Sequence, residues 1–240
     1  MSDIESVEEL LEQIRSETNK YELASLLRRL AKCERVPAYP RLLGLVGDSR
    51  WIVRREAIQA LSQCVEPAAE DCLLERARIT DDVYDLAYIN ATLGRIGSRK
   101  SIPYLSEMAG HREEDVAASA IAALSEIGSG QELPVFIGGL STGRRVVKWC
   151  AMAAISRHGD ESAIGPVVGR VKQILGHRRR REQRPRSELG YALEFLWRMR
   201  RHDARIDGLF AWVLGEGKDM LFEAERAFVE QLVDEGERTG

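Results

Sequence analysis

The chain is poor in the residues that usually announce chemistry. Its 240 residues hold four histidines, four cysteines and only 6% aromatics. Cys33, Cys64, Cys72 and Cys150 form no C-x-x-C pair and have no histidine at ligand spacing, which excludes the sequence signatures of a disulfide framework and of a zinc site. His111, His158, His177 and His202 each lie in or beside a turn, with no Ser, Cys or carboxylate at triad spacing, so they read as solvated turn residues. There is no G-x-x-x-x-G-K-[ST], no G-x-G-x-x-G and no H-E-x-x-H, and phosphate-loop, dinucleotide and zincin readings lose their first requirement. Paired carboxylates such as Asp81-Asp82 stand at a helix start, where acids stabilise the helix dipole without any catalytic role. No catalytic residue, metal or cofactor is indicated. Nowhere do 18 apolar residues run together, and Met1 to Glu12 carries five acids and no apolar run, so the expectation is neither export nor a membrane span but a reducing cytoplasm.

What the chain does have is a period. Ile102-Pro103 returns as Leu133-Pro134, Leu124 as Ile155 and Gly128 as Gly159, a helix pair written twice at a spacing of 31 residues. Leu61, Leu93, Leu124 and Ile155 continue the series at spacings of 32, 31 and 31, the mark of a two-helix repeat. Helix breaks are expected near Gly47, Gly97, Gly128 and Gly159, with Asp48 or Ser49, and then Thr80 or Asp81, as caps of the following helices. The fold class read from this is all-α, a right-handed α-solenoid of about six antiparallel helix pairs forming a single domain over residues 1–240. Residues 1–36 read as an N-terminal helical cap and 37–175 as the clear repeats. Residues 176–186 read as an arginine-rich loop insert, and 187–240 as C-terminal repeats and cap.

The residues Val46-Gly47-Asp48 followed by Val53-Arg54-Arg55-Glu56-Ala57-Ile58-Gln59-Ala60-Leu61, and the alanine-rich run Asp115 to Gly128, resemble the HEAT-repeat family, in the short form also seen in bacterial phycobilisome-lyase-like proteins. The family's ladder of a turn Asp six residues before an Arg is met by Asp48 and Arg54 and is absent from the three repeats that follow. The resemblance implies a binding scaffold and carries over no catalytic residue.

Charge is the other strong signal. Residues 1–120 hold 16 basic against 21 acidic side chains, a net of −5. Residues 141–205 hold 16 against 6, net +10, and residues 206–240 hold 3 against 9, net −6. One repeat apart, Asp81, Asp82 and Asp85 align with Glu113, Glu114 and Asp115 as an acidic ridge, and Arg144, Arg145 and Lys148 take the comparable positions in the next repeat. Like charges kept side by side point to a partner of opposite sign. Trp149, among basic neighbours, is a candidate interface anchor, while Trp197 and Trp212 fall in apolar periods and read as core. Arg178, Arg179, Arg180, Arg181, Arg184 and Arg186 make a second candidate, a surface loop able to contact phosphates but without interleaved aromatics for base stacking.

Three functions follow from these readings. The first is a non-enzymatic protein-binding scaffold: an adaptor, an inhibitor or an immunity-type protein. The second is nucleic-acid binding, including the activity of the HEAT-like alkylpurine DNA glycosylases, which the chain is similar to in length and plan although their paired tryptophans and neighbouring aspartate find no matching cluster. The third, implied by the resemblance alone, is lyase-like or chaperone-like attachment of a cofactor.

Overall fold

The computed structural model describes residues 7–32, 35–63, 67–177 and 186–238, and among them every regular element is helical. The chain divides into two compact units, Met1–Gly128 and Ser129–Gly240, and the division falls on one of the glycine stops.

The first unit contains α1 (Val7–Ser16), α2 (Lys20–Lys32), α3 (Arg35–Leu45), α4 (Trp51–Ala60), α5 (Pro67–Ile79), α6 (Val83–Ile96), α7 (Ile102–Met108) and α8 (Glu114–Ile127). Each odd-numbered helix packs on the helix after it, and α2, α4, α6 and α8 pack one on the next, which is the solenoid pattern. Leu61, Leu93 and Leu124 are fully buried where the period placed them. The second unit contains α9 (Leu133–Leu140), α10 (Arg145–His158), α11 (Ile164–Leu175), α12 (Glu188–Met199), α13 (Arg205–Leu214) and α14 (Glu223–Arg238). It repeats the arrangement, with α10, α12 and α14 packed in order and Ile155 fully buried.

Side chains also tie the stacked helices to one another's backbones. Thr92 Oγ1 on α6 donates to the carbonyl of Ile58 on α4 at 3.1 Å, and Asn90 Nδ2 donates to the carbonyl of Val116 on α8 at 3.1 Å. Beside them Gly94 lets α6 approach α8, because a Cβ there would stand 2.9 Å from Ala123 Cα. Glu70, buried on α5, accepts from the Ser98 N–H and the Ser101 hydroxyl at 2.8 and 2.6 Å. Burial opposes the charge of Glu70, but these serine donors outweigh it and hold the carboxyl below its usual range.

The glycines stop helices as expected, for a different reason. Gly97, Gly128 and Gly159 follow α6, α8 and α10 with φ of −66°, −75° and −67° and extended ψ, so none is a left-handed cap. Each N–H bonds the carbonyl four residues back, at 2.7, 2.8 and 2.7 Å, while the chain turns away sharply. A Cβ on Gly97 would stand 2.4 Å from the Leu93 carbonyl oxygen, and one on Gly159 would stand 2.6 Å from both the Ile155 oxygen and Phe195 Cε2. Closeness to the helix end, not backbone handedness, selects glycine here.

The caps sit one or two residues later than expected. Arg50, rather than Asp48 or Ser49, is the N-cap of α4 and makes no side-chain cap bond. Asp48 instead accepts from the Arg50 N–H at 2.8 Å and pairs with its guanidinium at 3.1 Å, contacts that lower the carboxyl's pKa. On α6 the cap is Asp82, whose carboxylate accepts the N–H groups of Tyr84 and Asp85. Trp197 and Trp212 are half-buried rather than core, the first edge-on to Phe210 at 4.9 Å with the Arg200 guanidinium 4.3 Å above it.

Candidate interaction surface

Counted from their N-caps, α4, α6, α8 and α10 place Val53, Asp85, Val116 and Val147 at the same position, and all four are fully buried. In this register an aspartate replaces valine in one helix only. A lone buried carboxylate would lose several kcal/mol of hydration, on the order of the effective penalty for any buried ion, unless cations met it. Three do. Arg54 Nε lies 2.7 Å from one Asp85 oxygen, Arg55 Nε 3.0 Å from the other, and Arg76 Nη2 from α5 3.6 Å from the first.

Asp82, one turn earlier, completes the cluster. Arg55 Nη2 donates to both its oxygens at 3.0 and 2.9 Å, and Arg54 Nη2 stands 3.5 Å away. Partial burial works against the charge on Asp82, but the N–H groups of Asp85 and Tyr84, followed by Arg55, outweigh it and hold its pKa down. Arg54 also donates to the carbonyls of Asp48 and Ser49, both at 3.0 Å. The six-residue Asp48–Arg54 spacing is therefore a guanidinium-to-backbone contact, and the charge of Arg54 is spent one repeat further on.

The cluster fixes an aromatic face. The Arg55 guanidinium lies 4.8 Å from the Trp51 ring centroid and 4.9 Å from that of Tyr84, sandwiched between them. Both rings remain open to solvent, Trp51 at 48% and Tyr84 at 58%, and Tyr88, one turn along α6, is 39% exposed. Beyond Tyr88, a groove of about 750 Å³ between α6 and α8 is lined by Ala91, Gly94, Ser119, Ala122 and Ala123, with Arg95 and Glu126 farther along.

The acidic ridge is accordingly broken. Asp85 is buried and Asp82 is matched by arginine, so neither stands on the surface as a free charge, because the preceding repeat supplies their counterions. Asp81 and Asp115 are exposed and have no ion pair or hydrogen bond to their side chains among the described residues. Glu113 caps α8 without a side-chain cap bond and faces Arg112 at 3.5 Å, while Glu114 is half-buried.

In the second unit, Arg144 is the N-cap of α10, Arg145 and Lys148 lie in its first turn, and Arg144 and Lys148 are half-buried. Trp149 is not a free anchor. Its Nε1 donates to the Arg186 carbonyl at 3.0 Å and its ring meets Tyr191 edge-on at 5.7 Å. Arg186 is likewise taken from the phosphate-contact set: its guanidinium bonds Glu194 at 2.7 Å and lies 5.3 and 5.1 Å from the Tyr191 and Phe228 rings. Arg178, Arg179, Arg180, Arg181 and Arg184 lie outside the described residues.

Three of the four histidines are engaged locally. His158 stacks on Phe136 at 6.3 Å, His202 pairs with Glu161 at 2.7 Å, and His111 Nδ1 accepts the Glu113 N–H at 3.1 Å. Among the described residues no group of three or more His, Cys, Asp or Glu is placed to hold a metal ion, and no helix is long and apolar enough to cross a membrane. The first unit thus presents flat aromatic surface and charge on helices tied together by buried ion pairs.

Comparison with known proteins agrees with the repeat architecture. No curated protein matches the chain. The family model for HEAT repeats matches residues 7–91, which run from α1 into α6 and contain the arginine–aspartate cluster and its aromatic face. The match begins in the two helices read from sequence as a cap and stops before the pairs at 102–159 that show the period most plainly. Over residues 7–91 the chain is similar to the HEAT-repeat family.

Proposed function

We propose that the chain is a non-enzymatic protein-binding scaffold, an adaptor, inhibitor or immunity-type protein. Its principal contact surface in the first unit is Trp51, Tyr84 and Tyr88 with the exposed acids beside them. One observation carries this reading: three large aromatic side chains stand open to solvent while a buried ionic cluster holds the arginine that two of them share. Tryptophan, tyrosine and arginine are the residues in which binding energy concentrates at protein interfaces, and a platform already held in place loses little conformational entropy when a partner docks. HEAT repeats are in general protein-interaction scaffolds, which supports the same reading. The carboxylates of the cluster face guanidinium groups, so they are ill suited to take a proton from a substrate. The start of α10, with Arg144, Arg145 and Lys148, is a secondary contact region in this proposal.

The test is capture of partners by the full chain, compared with the Trp51→Ala/Tyr84→Ala variant, alongside titration of labelled duplex DNA. A protein held by the parent chain and lost by the variant is expected, with duplex binding that is weak and vanishes by about 150 mM salt. Salt-resistant duplex binding, or release of bases from alkylated DNA, would overturn the scaffold and favour the glycosylase-like function.

A further inference from the structure

We propose that this face of the first unit takes a basic peptide segment of a protein partner, its Lys or Arg side chains seated on Tyr84 and Tyr88 and paired with Asp81, Glu113 and Asp115. The inference rests on the scaffold reading and specifies the chemistry of the partner. It begins with the rings. Tyr84 already has a guanidinium on one side, whereas Tyr88 is partly exposed and has no ring or cation against it among the described residues. An open tyrosine face attracts cations and disfavours anions.

The charge around these rings has the matching sign. Tyr84 and Asp115 are the second residues of α6 and α8, which pack side by side, so the acids at the start of α8 flank the tyrosines. Inside the cluster three arginines meet two aspartates, leaving one excess cation, and Arg112 adds another. Against these two, and Arg95 at the far end of the groove, stand Asp81, Glu113, Glu114, Asp115 and Glu126, so the face carries a net −2. The whole first unit holds 16 basic and 22 acidic residues, net −6, so its longer-range field has the same sign. An acidic peptide or a nucleic-acid backbone would be repelled on approach, and a basic segment drawn in.

Space is available as well. Along α6, Tyr84, Tyr88, Ala91 and Arg95 fall on one stripe, and the groove beyond Tyr88 has small side chains on both walls. A segment whose cations engage the two tyrosines and the acids has room there for the chain that follows.

Fluorescence anisotropy on the full chain tests this with three labelled peptides of about twelve residues, enough to span the roughly 16 Å from Tyr84 to Arg95. One is rich in Arg and Lys, one has each cation replaced by Glu, and one has each replaced by Gln. At about 150 mM salt only the basic peptide is expected to bind, and Tyr84→Ala/Tyr88→Ala and Asp81→Lys/Asp115→Lys are each expected to weaken it at least about tenfold. Their helical circular dichroism should match the parent, with melting lowered only slightly by the lost Arg55–Tyr84 contact or the reversed helix-start charges. Binding of the acidic peptide, equal binding by parent and tyrosine variant, or no binding of the basic peptide would each overturn the proposal. If the basic peptide fails while partner capture still depends on Trp51 and Tyr84, the charge assignment falls and the scaffold stands. If capture fails too, both fall.

Discussion

Each unit sets an arginine between two aromatic rings and anchors it on carboxylate. In the first unit Arg55 lies between Trp51 and Tyr84, tied to Asp82 and Asp85, and both rings face solvent. In the second, Arg186 lies between Tyr191 and Phe228, tied to Glu194, but Trp149 bonds its carbonyl and all the rings are half-buried. The same pairing is thus an open platform in one unit and an internal brace in the other. What separates them is the charge beneath. Asp85 is fully buried and holds its arginines inside the stack, whereas Glu194 is a third exposed and lets Arg186 lie at the edge.

The largest effect that would break this contrast is at Asp85. Asp85→Ala leaves Arg54, Arg55 and Arg76 facing one another around a void, and loss of one partner from a buried ion pair typically costs about 3–5 kcal/mol. Urea denaturation is expected to show that loss; a change below about 1 kcal/mol would mean the cluster adds nothing to the fold. The two tryptophans should separate next. Trp149→Ala removes a half-buried ring and its hydrogen bond and is expected to destabilise by about 2–3 kcal/mol, less than a fully buried tryptophan. Trp51→Ala removes a half-exposed ring in a cation–π contact and should change stability by about 1 kcal/mol or less while weakening partner binding. Equal melting shifts for the two would erase the distinction between platform and brace.

Gly159→Ala tests the second unit's turn. The new methyl must displace the Ile155 carbonyl or the Phe195 ring, an overpacking expected to cost about 1–3 kcal/mol by thermal denaturation. Gly97→Ala meets the Leu93 carbonyl group and the Ser101 hydroxyl at close range, and should fall in the same range. The smallest effect concerns acid. Glu70 and Asp82 have lowered pKa values, so the stability they contribute is fully present above about pH 5 and is lost as pH falls through those lowered values. The Glu70→Gln/Asp82→Asn variant should therefore show a flatter loss of stability than the parent in urea melts run between about pH 5 and pH 2. Parallel curves would remove these two groups from the acid response.

The helices and their core were legible in the sequence because a period of 31 residues concerns position alone. Leu61, Leu93 and Leu124 needed no knowledge of what faces them, and all are buried. The glycine stops were legible by residue type, though not by cause, since the clash at Gly97 exists only once the chain has turned. The candidate site was only half visible. Asp81, Asp82 and Asp85 stand out as a group, and Arg54 and Arg55 lie within the stretch that resembles a HEAT repeat, but pairing them requires laying one repeat against the next. A signal was present: with the N-caps aligned, Asp85 falls in a column of valines, and a carboxylate in an apolar column calls for cations in the neighbouring repeat. For Trp149 the pattern showed basic neighbours, yet the groups that engage it, Tyr191 and the Arg186 carbonyl, lie about forty residues on, across a stretch with no period.

The dependence of Asp85 on its predecessor bears on how such an array is able to grow. Repeat proteins lengthen by copying a unit and inserting it beside itself, which succeeds when each unit accepts any neighbour. The unit spanning α5 and α6 is not portable in that sense. Two of its three counterions belong to α4, and the positions of α8 equivalent to Arg54 and Arg55 are Ala117 and Ala118. A copy of α5 and α6 stacked after α8 would set its aspartate against alanines, with only the arginine of its own α5 to answer it. This repeat is locked to its place in the order, and a shuffled or duplicated array would have to bring α4 with it.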